Sequence, residues 1–273
     1  MNILNIFGAN ITLLIIGYLV GSFCFGIILS KLIFKKDLRQ FGSKNSGATN
    51  MNRVFGFKWA ALVWFLDFSK IIVVSIISFF LIRYVTWFQG NAIYLIAAFG
   101  GLIGHSFPLY FKFKGGKIVS SFMGLLVSFS LFLFLLGLFF FTLTWLWSKK
   151  IGKSSVIFAI VVLLTCWLPW FTKSSYFWIN SLFNTTDYYL NYPGYFANTT
   201  LIALGSILLI ILHHQNIKNE FKTIQKIINH RKECRNIKLE TIKAKINSED
   251  NVIKKAKKIA NAESEEKNIE KIL

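Results

Sequence analysis

The run from Ile118 to Trp147 reads IVSSFMGLLVSFSLFLFLLGLFFFTLTWLW, 30 consecutive residues without a charge. A bilayer-spanning helix needs about 20 such residues. The run is therefore either one long tilted helix or two short ones meeting near Ser128 to Ser130. The flanking lysines decide between these. Lys112, Lys114 and Lys117 precede the run, and Lys149, Lys150 and Lys153 follow it. Positive residues gather on the cytoplasmic side of a bilayer, and only a chain that turns back within the run brings both groups to that side. The expectation is two short helices.

Working outward, the same rule orders the rest of the chain. Ile11 to Phe34 reads as the first spanning helix, with Gly17, Gly21 and Gly26 offering a close-packing face. Its first positive charge, Lys31, follows the apolar run, the reverse of a secretory signal peptide, so an uncleaved helix with its N-terminus outside is expected. Phe57 to Ile82 returns across the membrane carrying Asp67 and Lys70. At i,i+3 these two neutralise each other on one helix face. An intramembrane charge is a functional candidate, yet a structural pair is the favoured reading, since no third polar group accompanies it in the sequence. Asn91 to Gly104 is short and rich in small residues. Ser155 to Trp170 crosses outward to Pro169, Phe171 to Asn198 reads as an aromatic outer loop, and Thr199 to Leu212 crosses inward. The fold class expected is all-α, a polytopic membrane protein with about seven transmembrane helices, several of them short, its N-terminus outside and its C-terminus cytoplasmic.

The charges divide the chain into two expected domains. Residues 1–213 hold 16 Lys/Arg against Asp37, Asp67 and Asp187, a balance of +13; residues 214–273 hold 15 against 9 acids, a balance of +6. Residues 1–218 form the membrane domain and 219–273 a basic tail. In the tail Ile224, Ile227, Ile228, Ile242, Ile246, Val252 and Ile253 recur at loose helical spacing. It reads as an amphipathic helix on anionic headgroups, or equally as a solvated appendage. Three scattered aspartates in the membrane part cannot easily supply a paired-carboxylate mechanism or a magnesium site. Cys24, Cys166 and Cys234 are not spaced as a pair, so neither a disulfide framework nor a zinc site is expected. No metal, no cofactor and no nucleic-acid partner is implied.

Three polar islands interrupt the apolar pattern. The first, Gly42 to Arg53, alternates small residues, hydroxyls and amides and ends in one guanidinium. Its backbone N–H groups can converge on an anion while Ser43, Asn45, Thr49 and Asn50 donate around the rim, and Arg53 supplies a fork that fits a phosphate. A polar loop joining two helices is the plain alternative. The second island runs from Gly104 to Lys117. There Gly115-Gly116 permits backbone conformations that aim successive amides at one point, and Lys117 adds a charge to a bound phosphate; a turn and an interfacial lysine are the alternative reading. The third is His213-His214-Gln215-Asn216. All three are expected on the cytoplasmic side, which suggests one shared anion site.

These islands resemble the three signature motifs of the bacterial membrane acyl-phosphate:glycerol-3-phosphate acyltransferase family. The similarity extends to Gly21-Ser22-Phe25-Gly26 and to Leu66-Asp67-Lys70, and covers about residues 11 to 220. Where the family's third motif reads His-Arg-x-Asn-Ile-Lys-Arg-Leu and then Gly-x-Glu, this chain has His214, Asn219, Glu220, Thr223 and Gln225. The resemblance implies transfer of a fatty acyl group from acyl phosphate to the 1-hydroxyl of glycerol 3-phosphate, giving lysophosphatidate and phosphate, in phospholipid synthesis. It also implies a multi-pass protein of a bacterial plasma membrane with its site facing the cytoplasm, and a monomer is expected. Carried over by position, Ser43, Arg53, Lys117, His213 and Asn216 are expected as catalytic residues. Asn45, Gly47, Thr49, Asn50, His105, Gly115, Gly116 and Ser155 are expected to bind substrate phosphate. The alternative is a transporter or flippase for an anionic lipid or phosphorylated metabolite, whose polar islands would line a gate. Neither an internal repeat nor mid-membrane polar clustering supports it.

Overall fold

A computed structural model describes residues 3–168 and 196–218, and further positions between 221 and 240. The chain divides into two compact units, Met1–Ile217 and Lys218–Leu273. The described residues of the first form the helices α1 (Ile3–Gly21), α2 (Phe25–Phe34), α3 (Ala48–Phe55), α4 (Phe57–Tyr84), α5 (Ile96–Ser106), α6 (Val119–Phe129), α7 (Leu131–Ser148) and α8 (Ile151–Thr165). It closes with α9 (Phe196–Lys218). No strand occurs among the described residues. Among the described residues, four apolar segments are long enough to cross a membrane, namely 3–34, α4, α7 and α9, and three shorter ones are built on α5, α6 and α8. Counting α1 and α2 together, that makes seven. In the second unit the described positions are helical and exposed. Ile224, Ile227, Ile242, Ile246, Val252 and Ile253 lie outside the described residues, as does 169–195, which takes in Pro169, Trp170 and most of the expected outer loop.

The long uncharged run is two helices. Ser130 leaves helical geometry with φ −147° and ψ 112°, its N–H still bonds Leu126 O, and its hydroxyl accepts from Leu133 N to cap the start of α7. The first span differs from expectation. It begins at Ile3 and breaks at Ser22 to Cys24 rather than continuing to Phe34. The reason is a competition for carbonyls: the Lys70 ammonium of α4 donates to Gly21 O at 3.0 Å and Phe23 O at 2.8 Å, which a continuous helix would have used internally.

α1 and α5 cross with backbones in contact. A Cβ at Gly17 would overlap the Ala97 carbonyl, and one at Gly21 the Gly101 carbonyl; from the other side, Gly100 faces Leu14 O and Gly104 faces Tyr18 O. Two small-xxx-small pairs thus mesh, which is how helices approach closely when no water is present to drive association. Gly26 does not share that face; it packs against the Ser46 carbonyl of the first polar island. α6 lies on α4, with Gly124 against Phe68 O. α9 meets the bundle where Gly205 abuts Phe122 and Leu102. The core around Ile71, Leu102, Phe122, Leu133 and Phe158 is fully buried. A smaller cluster of Leu38, Met51, Ala60 and Val63 anchors α3 and the first island beside α4.

Candidate active site

The first island is built around Asn50, which is 1% exposed. Its amide nitrogen donates to the carbonyls of Leu38, Phe41 and Asn45, and its Oδ1 accepts from Ser43 N at 2.8 Å. Gly42 takes φ +56° directly against that Oδ1, where a Cβ would overlap it. Asn50 therefore shapes the loop from inside rather than donating at its rim, because its two amide hydrogens are shared among the backbone carbonyls of Leu38, Phe41 and Asn45. Gly47 caps α3 and accepts from Asn50 N and Met51 N, so the α3 N-terminus opens beside Asn45 and Thr49. Asn45 Oδ1 accepts from Gly47 N at 3.3 Å. Ser43 is exposed, and Arg53 projects from the last turn of α3, exposed as well.

The second island is pinned to the end of α5. Gly115 N donates to Ser106 O at 3.1 Å and Gly116 N to His105 O at 3.0 Å. These amides are spent on backbone carbonyls and do not converge on an anion as expected. The glycines serve close approach instead: a Cβ at Gly115 would overlap His105 O, and one at Gly116 would overlap the His105 ring at Nε2. Beyond them Ile118, fully buried, sits at φ +41°, strained for a β-branched residue. Lys117 is thus held between a pinned glycine and a strained, buried isoleucine.

Lys117 is where the islands meet. Its Nζ donates to Asn216 Oδ1 of α9 at 2.9 Å. Partial burial holds its pKa below the ordinary lysine value, and the neighbouring positive charge of Arg53 lowers it further. Lys117 also acts electrostatically on His213. His213 is 3% exposed, and its Nδ1 lies 2.9 Å from Leu209 O. A carbonyl can only accept, so Nδ1 carries the proton, and Nε2 of the neutral ring keeps a lone pair. Gly152, in the first turn of α8, lets that helix close on Asn216: its Cβ position lies 3.0 Å from Asn216 Nδ2. Ser155 does not join this group. It is fully buried and its hydroxyl donates to Ile151 O, one turn back in α8, the usual alternative for a serine inside a helix.

His105 is 2% exposed, with Nδ1 at 3.0 Å from Lys70 Nζ and 3.4 Å from Asp67 Oδ1, inside a charged cluster. This is the third polar group that the Asp67–Lys70 pair lacks in the linear sequence. Arg39 is the other residue that pattern reading passes over. Its Nε and Nη2 clasp Asp37, while Nη1 donates to Phe111 O at 2.9 Å and Lys114 O at 3.1 Å, tying the first island's approach to the second. The Arg39 fork pulls the Asp37 pKa down to about 2, and Asp37 in turn raises that of Arg39.

The result is a patch where Arg53 from α3, Lys117 from the loop before α6, and His213 and Asn216 from α9 gather. The two acids described in this unit are already committed, Asp37 to Arg39 and Asp67 to Lys70. Such a patch favours an anion and has free donors to hold one.

Comparison with known proteins agrees with the chemistry of this patch. Residues 11–223 match the profile of the family described as Glycerol-3-phosphate acyltransferase. A glycerol-3-phosphate acyltransferase of Mycoplasma mobile is 35% identical over 243 residues, covering 87% of this chain and all of the relative. One from Mycoplasma capricolum is 34% identical, covering 75% and 86%. Among solved structures, the fold is similar to PlsY (YgiH), an integral membrane glycerol 3-phosphate acyltransferase. Its glycerol 3-phosphate form gives a TM-score of 0.60 at 26% identity, covering 78% of this chain and 92% of that one. Its lysophosphatidic acid form gives 0.58 at 25% identity, with the same coverage.

Proposed function

The chain belongs to the glycerol-3-phosphate acyltransferase family, and from that premise we propose that it moves a fatty acyl group from acyl phosphate to the 1-hydroxyl of glycerol 3-phosphate. The products are lysophosphatidate and inorganic phosphate. The enzyme works as a monomer in a bacterial plasma membrane, its N-terminus outside and its site facing the cytoplasm. The observation that carries the reading is the convergence of Arg53, Lys117, His213 and Asn216 on one acid-poor patch. Both substrates are phosphates, and Arg53 and Lys117 supply the two cations that bind and orient them. Ser43, Asn45, Thr49 and the open N-terminus of α3 at Gly47 extend the binding surface along the first island.

Acyl phosphate is already activated. The glycerol oxygen attacks the acyl carbon, the bond from that carbon to the phosphate oxygen breaks, and the electron pair leaves with the phosphate. Lys117 and Arg53 stabilise that departing charge. The hydroxyl proton passes either to a phosphate oxygen of the substrate or to His213 Nε2, whose lone pair the Leu209 hydrogen bond keeps available. The test is release of inorganic phosphate by the purified protein from palmitoyl phosphate, with and without glycerol 3-phosphate, and with palmitoyl-CoA as the control donor. Release that requires glycerol 3-phosphate and comes only from the acyl phosphate is expected. Transfer from palmitoyl-CoA, or no release from folded protein, overturns the reading.

A further inference from the structure

Acyl transfer at Arg53, Lys117, His213 and Asn216 leaves one group of buried charges unused. On α4, Asp67 is 1% and Lys70 6% exposed, and both face His105 of α5. Charges inside a membrane are costly and persist where they perform a task. We propose that Lys70 is a positioning residue for the acyltransferase site: acting through His105 and Gly116, it fixes the place of Lys117. The inference rests on the proposed function, since it takes Lys117 as the phosphate cation.

The path is continuous. Lys70 Nζ contacts Gly21 O at 3.0 Å, Phe23 O at 2.8 Å, Asp67 Oδ1 at 2.9 Å and His105 Nδ1 at 3.0 Å. An ammonium has three N–H groups, and four partners crowd around it. No proton is spare for substrate, so Lys70 is not itself catalytic. Its position locks the His105 ring on the side facing α4. The opposite edge of that ring, at Nε2, lies so close to Gly116 that no side chain fits there. The His105 and Ser106 carbonyls then take the Gly116 and Gly115 amides, which sets the backbone at the residue before Lys117. Because Ile118 is buried on the far side, a shift at Gly116 must be absorbed at Lys117 and at its 2.9 Å bond to Asn216.

The same ammonium holds the break between α1 and α2, whose Ser22 hydroxyl accepts from Leu109 N and whose Cys24 thiol donates to His105 O. One residue thus organises both ends of the second island.

A merely structural lysine would affect stability and activity whether or not Lys117 were present; a positioning residue acts only through Lys117. The experiment is a double-mutant cycle on the affinity for glycerol 3-phosphate, measured by calorimetry on the detergent-purified protein, with phosphate release recorded alongside. The variants are Lys70→Met, Gly116→Ala, Lys117→Ala, and the first two each combined with Lys117→Ala. Lys70→Met and Gly116→Ala are each expected to weaken binding about tenfold, and neither is expected to add to the loss in Lys117→Ala. Gly116→Ala lies outside the helices and alters no charge, so it carries the test where Lys70→Met fails to fold. Unchanged affinity in Gly116→Ala, or losses that add in full to that of Lys117→Ala, overturn the inference. Wild-type protein that binds glycerol 3-phosphate without turning over acyl phosphate refutes the donor assignment alone and leaves the cycle readable. Wild type that does not bind refutes both.

Discussion

Lys117 Nζ and Asn216 Oδ1 stand 2.9 Å apart although 99 positions separate them in the chain. That bond closes the second island onto the third. It orients the ammonium while leaving two of its three N–H groups for a phosphate. Asn216→Asp keeps the shape but adds a carboxylate, which pairs with Lys117 and repels an anionic substrate. KM for glycerol 3-phosphate should rise about tenfold or more, the scale of a charged hydrogen bond, with the thermal midpoint in detergent unchanged. Steady-state kinetics against glycerol 3-phosphate decide it; an unaltered KM would separate the pair from substrate binding.

The two cations of the patch also set a pH dependence. Burial and then the Arg53 charge hold the Lys117 pKa below the usual lysine value of 10.5. A base whose pKa falls loses its positive charge at lower pH, so glycerol 3-phosphate affinity should decline on the alkaline side earlier than an ordinary lysine would cause. Replacing Arg53 by Gln removes one of the two causes and should move that decline to higher pH while weakening binding overall. Calorimetric titrations across the alkaline range read both effects, and a limb that stays in place in Arg53→Gln would show that Arg53 does not act on Lys117.

Arg39 predicts a local rather than global effect. Its fork on Asp37 keeps that carboxylate ionised down to a pKa of about 2. The folded value lies below the unfolded 3.8, so the stabilisation is complete above about 3.8 and is lost only as pH falls toward 2. Arg39→Ala should release the carbonyls of Phe111 and Lys114 and loosen residues 109–114, exposing Lys112 and Lys114 to trypsin. Arg39→Lys should not restore protection, because a point charge cannot span Asp37 and two carbonyls. Limited proteolysis with unchanged helical content is the readout, and equal cleavage of wild type and Arg39→Ala would sink the bridging role.

The tail is a separate proposal. Residues 219–273 are read as a basic membrane-surface segment, and the described part of that unit is helical and exposed, with Phe221, Ile228, Ile237 and Leu239 on its surface. Truncation after residue 228 should weaken binding to vesicles containing acidic phospholipid more than it lowers turnover. Equal vesicle binding by both forms would remove the surface role.

What could be read from sequence was whatever depends on position along one dimension. The break at Ser130 follows from where lysines flank an uncharged run. The packing of Gly17 and Gly21 follows from spacing by four. The three islands were legible because polar residues stand out against apolar ones. What the sequence hides has a different cause. Asn50, Gly115, Gly116 and Ser155 all spend hydrogens on backbone carbonyls, and carbonyls leave no mark in a sequence because every residue has one. The partner that completes Asp67 and Lys70 lies 35 residues beyond Lys70 on another helix, so an i,i+3 pattern shows only half of the cluster. Arg39 hides for both reasons, since its fork reaches one acid nearby and two carbonyls more than 70 positions away.

The crossing of α1 and α5 positions both ends of the site, and it offers the sharpest test of the fold. Gly104 packs on Tyr18 O, with Ser22 N 2.8 Å from where its Cβ would stand. Those neighbours are backbone and cannot move aside as a side-chain tip would. Gly104→Ala should therefore separate the helices and cost about 1–3 kcal/mol, the range for overpacking. Gly90→Ala is the control: it has φ +70° with nothing within 4 Å of the added methyl, so only backbone strain of about 1 kcal/mol opposes it. The midpoint of thermal unfolding in detergent should fall more for Gly104→Ala than for Gly90→Ala. Ser22 and Leu109 join the break after α1 to the second island, so Gly104→Ala should also weaken glycerol 3-phosphate binding where Gly90→Ala does not. Equal behaviour of the two variants would mean that the α1–α5 contact is looser than described and does not position the site.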